Sequence, residues 1–192
     1  MKKNLKTGAA FFKDAVRIHF HKNLNTAISY IYFNNLYLRM KILMVCLGNI
    51  CRSPLAEGIL IYKLKQANLN WHVDSAGTNG YHVNEPPHRL SQKVAKMHGI
   101  DISQQVCRRF VAADFEKFDI IYAMAQEVID DMKALMGSKY KNEKVSLIMN
   151  EVYPTKDIDV PDPWYGPEAG YEEMFELLEK ACEKIIEKVT SK

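Results

Sequence analysis

Nine consecutive residues, Cys46-Leu47-Gly48-Asn49-Ile50-Cys51-Arg52-Ser53-Pro54, constrain this chain more than any other segment. The apolar run Ile42-Leu43-Met44-Val45 leads into them and predicts a buried strand over Lys41–Cys46. A helical pattern leads out over residues 55–68, with Leu55, Ile59, Leu60 and Leu64 on one side. Strand, tight loop and helix N-terminus in that order make an anion cradle. The unpaired N–H groups of the loop and of the first helical turn converge, and the helix dipole favours negative charge there. Unlike a loop that only holds phosphate, this one carries a cysteine at its base and an arginine at its rim. That pairing points to cleavage of a phosphate ester.

The residues divide the chemistry among themselves. Cys46 is the candidate nucleophile; the thiolate is the attacking species, and converging amides, a helix dipole and a nearby arginine are surroundings that favour it. Ser53 is placed to donate a hydrogen bond to that sulfur. Arg52 can clamp two phosphate oxygens with its planar fork, which a lysine would not reproduce. Gly48 lets the backbone curl, Asn49 pins the loop through its side chain, and the backbone of Leu47, Ile50 and Cys51 completes the cradle. Cys51, five residues from Cys46 in a loop that curls, suggests a reversible Cys46–Cys51 bridge. A general acid is also needed, and Asp162 in Val160-Pro161-Asp162-Pro163-Trp164-Tyr165-Gly166 is the candidate, its loop stiffened by prolines on both sides. Asp157 and Asp159 compete for that role.

The rest of the chain alternates strand and helix. Strands are expected at 71–75, 118–124 and 145–149, and helices at 87–98, ended by Gly99, at 126–136, closed by Gly137, and at 169–189. Residues 76–80 are expected to form a turn-rich loop. This alternation predicts an α/β fold, a parallel sheet with helices on both faces and the Cys-x5-Arg loop after its first strand.

Charge is unevenly placed. Residues 1–39 hold seven Lys and Arg against one acid, Asp14, so 19 of the 26 basic and 22 of the 23 acidic side chains follow them. A nucleic-acid-binding body is therefore not indicated. Two parts are expected: a basic N-terminal extension over 1–39, disordered or a mis-called start, and a functional domain over 40–192 beginning at Met40. No apolar stretch approaches the ~20 residues of a membrane span. The four cysteines, at 46, 51, 107 and 182, form no zinc or disulfide pattern and favour a reducing, cytoplasmic setting. His19, His21, His72, His82, His88 and His98 lack metal-site spacing and are assigned surface or core roles, and Arg108 and Arg109 a structural role in their own loop.

The nonapeptide, Asp74-Ser75-Ala76-Gly77-Thr78 and Asp162-Pro163-Trp164-Tyr165, in this order, resemble the low-molecular-weight protein-tyrosine phosphatases. The resemblance runs from Lys41 to about Lys188. It implies a four-stranded parallel sheet, a phosphocysteine intermediate on Cys46, phosphate binding by Arg52, Asp162 as general acid, and no metal or other cofactor. It further implies Trp164 and Tyr165 as aromatic walls for a phosphotyrosine ring. The substrate would be a tyrosine-phosphorylated protein, with a bacterial tyrosine kinase as the partner suggested by family habit, and the expected state is a monomer. Two positions depart from the pattern: Ala125 where many members have Asp, and Asn84 where Gly is frequent. The alternatives on the same fold are a thiol-dependent arsenate reductase, whose further cysteines after the third strand are missing here, and a protein-arginine phosphatase, marked by Thr where this chain has Ile50. A non-catalytic phosphate-binding module is the alternative of another class.

Overall fold

The computed structural model describes residues 39–190, so the extension, apart from its last residue, lies outside the described residues, as do His19 and His21. Four strands, β1 (Lys41–Cys46), β2 (His72–Gly77), β3 (Ile120–Ala123) and β4 (Val145–Leu147), form one parallel sheet in the order β2-β1-β3-β4. The helices are α1 (Arg52–Gln66), α2 (Arg89–Met97), the single-turn α3 (Asp114–Lys117), α4 (Gln126–Met136) and α5 (Ala169–Thr190).

Both faces of the sheet are covered, which is why the central strands are continuously apolar. Along β1, Ile42, Met44 and Cys46 point into a core shared with α1, α2 and α5. Leu43 and Val45 point the other way, into a core built around Phe110, Phe115, Phe118, Val128 and Met132. The chain leaves β1 towards β2 on one side and reaches β3 on the other. The C-terminal ends of β1 and β3 therefore flank a reversal of strand order, where sheets of this kind place their ligands.

Some boundaries differ from the sequence expectation. β2 runs on through Ala76 and Gly77, which pair with Val45 and Cys46. Their small side chains, suggestive of a turn, serve close approach instead. A Cβ on Gly77 would lie 2.9 Å from the backbone of Leu47, Gly48 and Asn49. β4 stops at Leu147 and passes into a 3-10 turn, Ile148–Glu151, and α3 was not expected. Gly99 and Gly137 end their helices with φ of +75° and +51°. Among the described residues no helix is long and apolar enough to cross a membrane.

Candidate active site

Cys46 is the last residue of β1, and the chain curls from it into the N-terminus of α1. Its Sγ lies 3.0 Å from Ser53 Oγ and accepts the Asn49 N–H at 3.2 Å. Asn49 adopts a left-handed φ of +56°, uncommon for a residue with a side chain. Its side chain holds it there: Nδ2 donates to Ser53 Oγ and Ser75 Oγ, both at 2.9 Å, and Oδ1 accepts from the Arg108 amide at 2.8 Å. The loop carbonyls are turned outward. Those of Cys46, Leu47 and Ile50 accept from the amides of Thr78, Asn79 and His88. Those of Asn49 and Cys51 accept from Cys107 Sγ and Ser91 Oγ. The amide side of the curl is what remains to meet an anion.

Arg52 is 3% exposed and stands at the rim. Its Nη2 donates to Asp162 Oδ2 at 2.6 Å, and Glu127 Oε1, from the first turn of α4, lies 3.8 Å from the same nitrogen. Of the three aspartates considered for the acid, the structure brings only Asp162 to Arg52. Asp157 pairs with the Asn150 side chain, and Asp159 accepts the Gln126 amide. A buried guanidinium with an accessible carboxylate on it can exchange that carboxylate for a phosphate, freeing the acid to act on the leaving group.

The surroundings of Trp164 differ from expectation. Trp164 is held between two imidazoles, His82 at 5.4 Å and His88 at 5.2 Å between ring centroids. His82 also lies over Gly48, where an added Cβ would meet it at 3.3 Å. The sequence suggests bland surface or core roles for these histidines, yet both pack against the Trp164 ring. No local spacing signals this, because Trp164 arrives from the far end of the chain. Tyr165, by contrast, is 96% exposed. Leu47 and Ile50 flank the curl, partly exposed.

His88 ties several parts together. Its amide donates to Ile50 O at 2.8 Å, and its Nδ1 faces Tyr171 Oη at 2.9 Å and the Leu90 amide at 3.4 Å. Burial, then Arg89 and His82, push its pKa down, which suits an Nδ1 that accepts the Leu90 N–H. Beyond Tyr171 lies Cys51, whose Sγ is 3.6 Å from the hydroxyl. Cys46 and Cys51 are both free thiols. Burial pushes the Cys51 thiol up to about 12 and the Cys107 thiol up to about 11. Cys107 thus acts as a buried donor behind the loop. Ser75 donates at 2.6 Å to Glu57, a carboxyl that burial raises to about 7. Arg108 bridges Asp74 and Asp114, in keeping with its expected structural role. Among the described residues no group of three or more His, Cys, Asp or Glu side chains is arranged to hold a metal ion.

Both sequence departures have a local explanation. Asn84 takes φ +71°, a conformation glycine adopts freely and asparagine tolerates. Ala125 opens α4 without a side-chain cap, and Asp159 supplies the bond.

With this geometry in view, comparisons with known proteins are specific. The family described as low molecular weight phosphotyrosine protein phosphatase matches residues 41–192. A Synechocystis protein carrying the family name is 40% identical over 149 residues, 77% of this chain and 94% of its own length. The human low molecular weight phosphotyrosine protein phosphatase is 35% identical over 150 residues, with the same coverage. A crystal structure of a protein tyrosine phosphatase from Entamoeba histolytica, with Hepes in its active site, superimposes with a TM-score of 0.71 at 34% identity, covering 79% of this chain and 97% of that one. A cysteine-to-arginine curl of the expected length, on the expected sheet and matched along nearly all the described residues, leaves one assignment: the chain belongs to the low molecular weight phosphotyrosine protein phosphatase family.

Proposed function

We propose that this protein hydrolyses phosphotyrosine in proteins, and small aryl phosphates, through a phosphocysteine on Cys46. The observation carrying this reading is the Arg52–Asp162 contact at 2.6 Å, which joins phosphate clamp and acid on the loop that opens with Cys46. The phosphate dianion takes the Arg52 fork and the loop amides, displacing Asp162 from the guanidinium. Cys46 Sγ then attacks phosphorus in line. The bond from phosphorus to the tyrosyl oxygen breaks, and Asp162, which takes up a proton from solvent once it has left the guanidinium, gives that proton to the departing phenoxide. In the second step Asp162 takes a proton from water as it attacks the phosphocysteine. Inorganic phosphate leaves, and Ser53 stabilises the departing thiolate. Trp164, backed by His82 and His88, gives the ring an aromatic wall, with Tyr165 at the open mouth.

The active domain on this reading begins at Met40 and works in the cytoplasm as a monomer on a tyrosine-phosphorylated protein such as a bacterial tyrosine kinase. A Drosophila arginine phosphatase of similar fold superimposes with a TM-score of 0.71 at 30% identity. Ile50 in place of the threonine of that branch favours the tyrosine reading. The arsenate route would need a relay thiol, and Cys107 is committed to the Asn49 carbonyl at 2.6 Å.

The test is p-nitrophenyl phosphate hydrolysis near pH 6, with chelator and without added metal. Native turnover that survives chelator and disappears in Cys46→Ser is the expected result. Turnover unaffected by that substitution would remove Cys46 from the chemistry. A folded native chain without turnover would favour a cradle that only binds.

A further inference from the structure

Asp159 lies close in sequence to Asp162 but points elsewhere. Helix α4 opens on Ala125, whose extended φ of −152° and ψ of 162° suit an N-cap but whose methyl group accepts no hydrogen bond. The Val128 amide reaches Ala125 O at 3.2 Å, but the Gln126 amide at the first helical position has no intrahelical acceptor. The Gln126 amide instead donates to Asp159 Oδ1 at 2.8 Å, a carboxylate 33 residues further along the chain. Its charge also sits at the positive end of the helix dipole.

The next residue continues the fastening. The Val160 amide donates to Met124 O at 2.8 Å, at the end of β3, and Arg52 Nη1 reaches Val160 O at 3.5 Å. Pro161 then restricts the backbone, and Asp162 follows with its carboxylate on Arg52. Two consecutive residues thus attach the acid loop to the β3–α4 junction, and a stiff link carries that placement to the acid. The Asp162 carboxyl also accepts from the Trp164 amide at 3.1 Å, which ties it to the residues that follow.

We propose that Asp159 is a positioning residue for the general acid: it caps α4 from the acid loop, where Ala125 has no acceptor, and so fixes where Asp162 stands over the phosphate cradle. This rests on the reading of Asp162 as the acid. Asp159 itself gives no proton to the leaving group.

The experiment compares Asp159→Asn, Asp159→Ala and the double variant Asp159→Ala with Ala125→Ser in the full chain. It measures kcat and KM on phenyl phosphate, a poor leaving group, together with Tm and amide exchange by NMR. Asparagine keeps an oxygen for the Gln126 amide, so Asp159→Asn should stay within about twofold of native kcat. Asp159→Ala should lower kcat about tenfold with little change in KM, since small misplacements of reacting groups are costly. Exchange at the Gln126 and Val160 amides should quicken. Adding Ala125→Ser should recover Tm through a local cap and leave kcat low. Equal damage from Asn and Ala would overturn the proposal, because the oxygen offered to the Gln126 amide would then not be what places Asp162. So would native kcat in Asp159→Ala, or recovery of kcat together with Tm in the double variant, which would leave Asp159 a helix cap only. If the native chain lacks turnover, the phosphatase reading fails by that result alone. Unchanged exchange at Gln126 and Val160 in Asp159→Ala would separately remove Asp159 as the fastening.

Discussion

The two loops that meet at Arg52 are built in opposite ways. In the phosphate loop, Cys46, Asn49, Cys51, Arg52 and Ser53 are all buried, and bonds from the end of β2, from α2 and from residues 107–108 lock the curl. The acid loop exposes Asp162, Trp164 and Tyr165 and is attached through its upstream end, the tilted ring contacts of Trp164 with His82 and His88, and the Arg52–Asp162 ion pair. The contrast matches what each is asked to do. Charge stabilisation works best when the dipoles are set before the reaction and need no reorganisation. An acid must first leave the arginine that the substrate claims, then serve as acid and as base.

This contrast predicts that the two loops fail differently. Asp162→Ala should lower kcat on phenyl phosphate by about 10²–10⁴-fold, the worth of a positioned acid. The same variant should bind inorganic phosphate no more weakly than native, and about two- to fivefold more tightly, because an ion pair competing for Arg52 has gone. Competitive inhibition by phosphate measures this. Weaker inhibition would mean that Asp162 supports the cradle rather than competing for it, and the contrast would collapse.

Asn49→Ala should do the reverse and damage both functions. It deletes the bonds to Ser53, Ser75 and the Arg108 amide and leaves a side chain at φ +56°. The expected losses are about 2–3 kcal/mol of stability and about 10–100-fold in kcat, with phosphate inhibition weakened in parallel. Asn49→Gly relieves the backbone but restores no bond, so it should recover part of the Tm and little of the activity. Full recovery of kcat by glycine would show that the conformation, and not the network, matters.

Legibility in the sequence follows the same division. Cys46, Arg52 and Ser53 were readable because strand, curl and helix lie within fourteen residues and their spacing is set by local geometry. The sheet was readable because strands buried on both faces are uniformly apolar. What joins the loop to distant chain was not readable. Nothing in residues 82–88 announces that both histidines meet an indole some eighty positions later. Choosing among Asp157, Asp159 and Asp162 needs the path of the loop past α4. Gly77 suggests a turn because glycine reads the same way whether it permits a bend or a close backbone approach. The structure alone separates those two uses.

The smallest effect on turnover concerns the far end of the rigid loop, where it reaches a group that titrates. Glu57 accepts the Ser75 hydroxyl, and Ser75 accepts from Asn49. Burial, offset in part by that hydrogen bond, raises the Glu57 pKa from 4.5 to about 7. A raised carboxyl pKa means the folded protein holds a proton that the unfolded chain has already released. Stability therefore falls as pH rises from about 4.5 to about 7, and levels off above that. Glu57→Gln keeps an oxygen for Ser75 and has no charge to desolvate. The variant should match native stability near pH 4.5 and exceed it at pH 8 by up to about 3 kcal/mol, seen as a higher Tm. Because the cradle is held by several other bonds, kcat at pH 6 should move less than about threefold. Thermal melts of both proteins across this range read the effect directly. Parallel Tm curves would mean Glu57 is ionised throughout, and a collapse of kcat without a change in Tm would mean that its charge reaches the sulfur through Ser75 and Asn49.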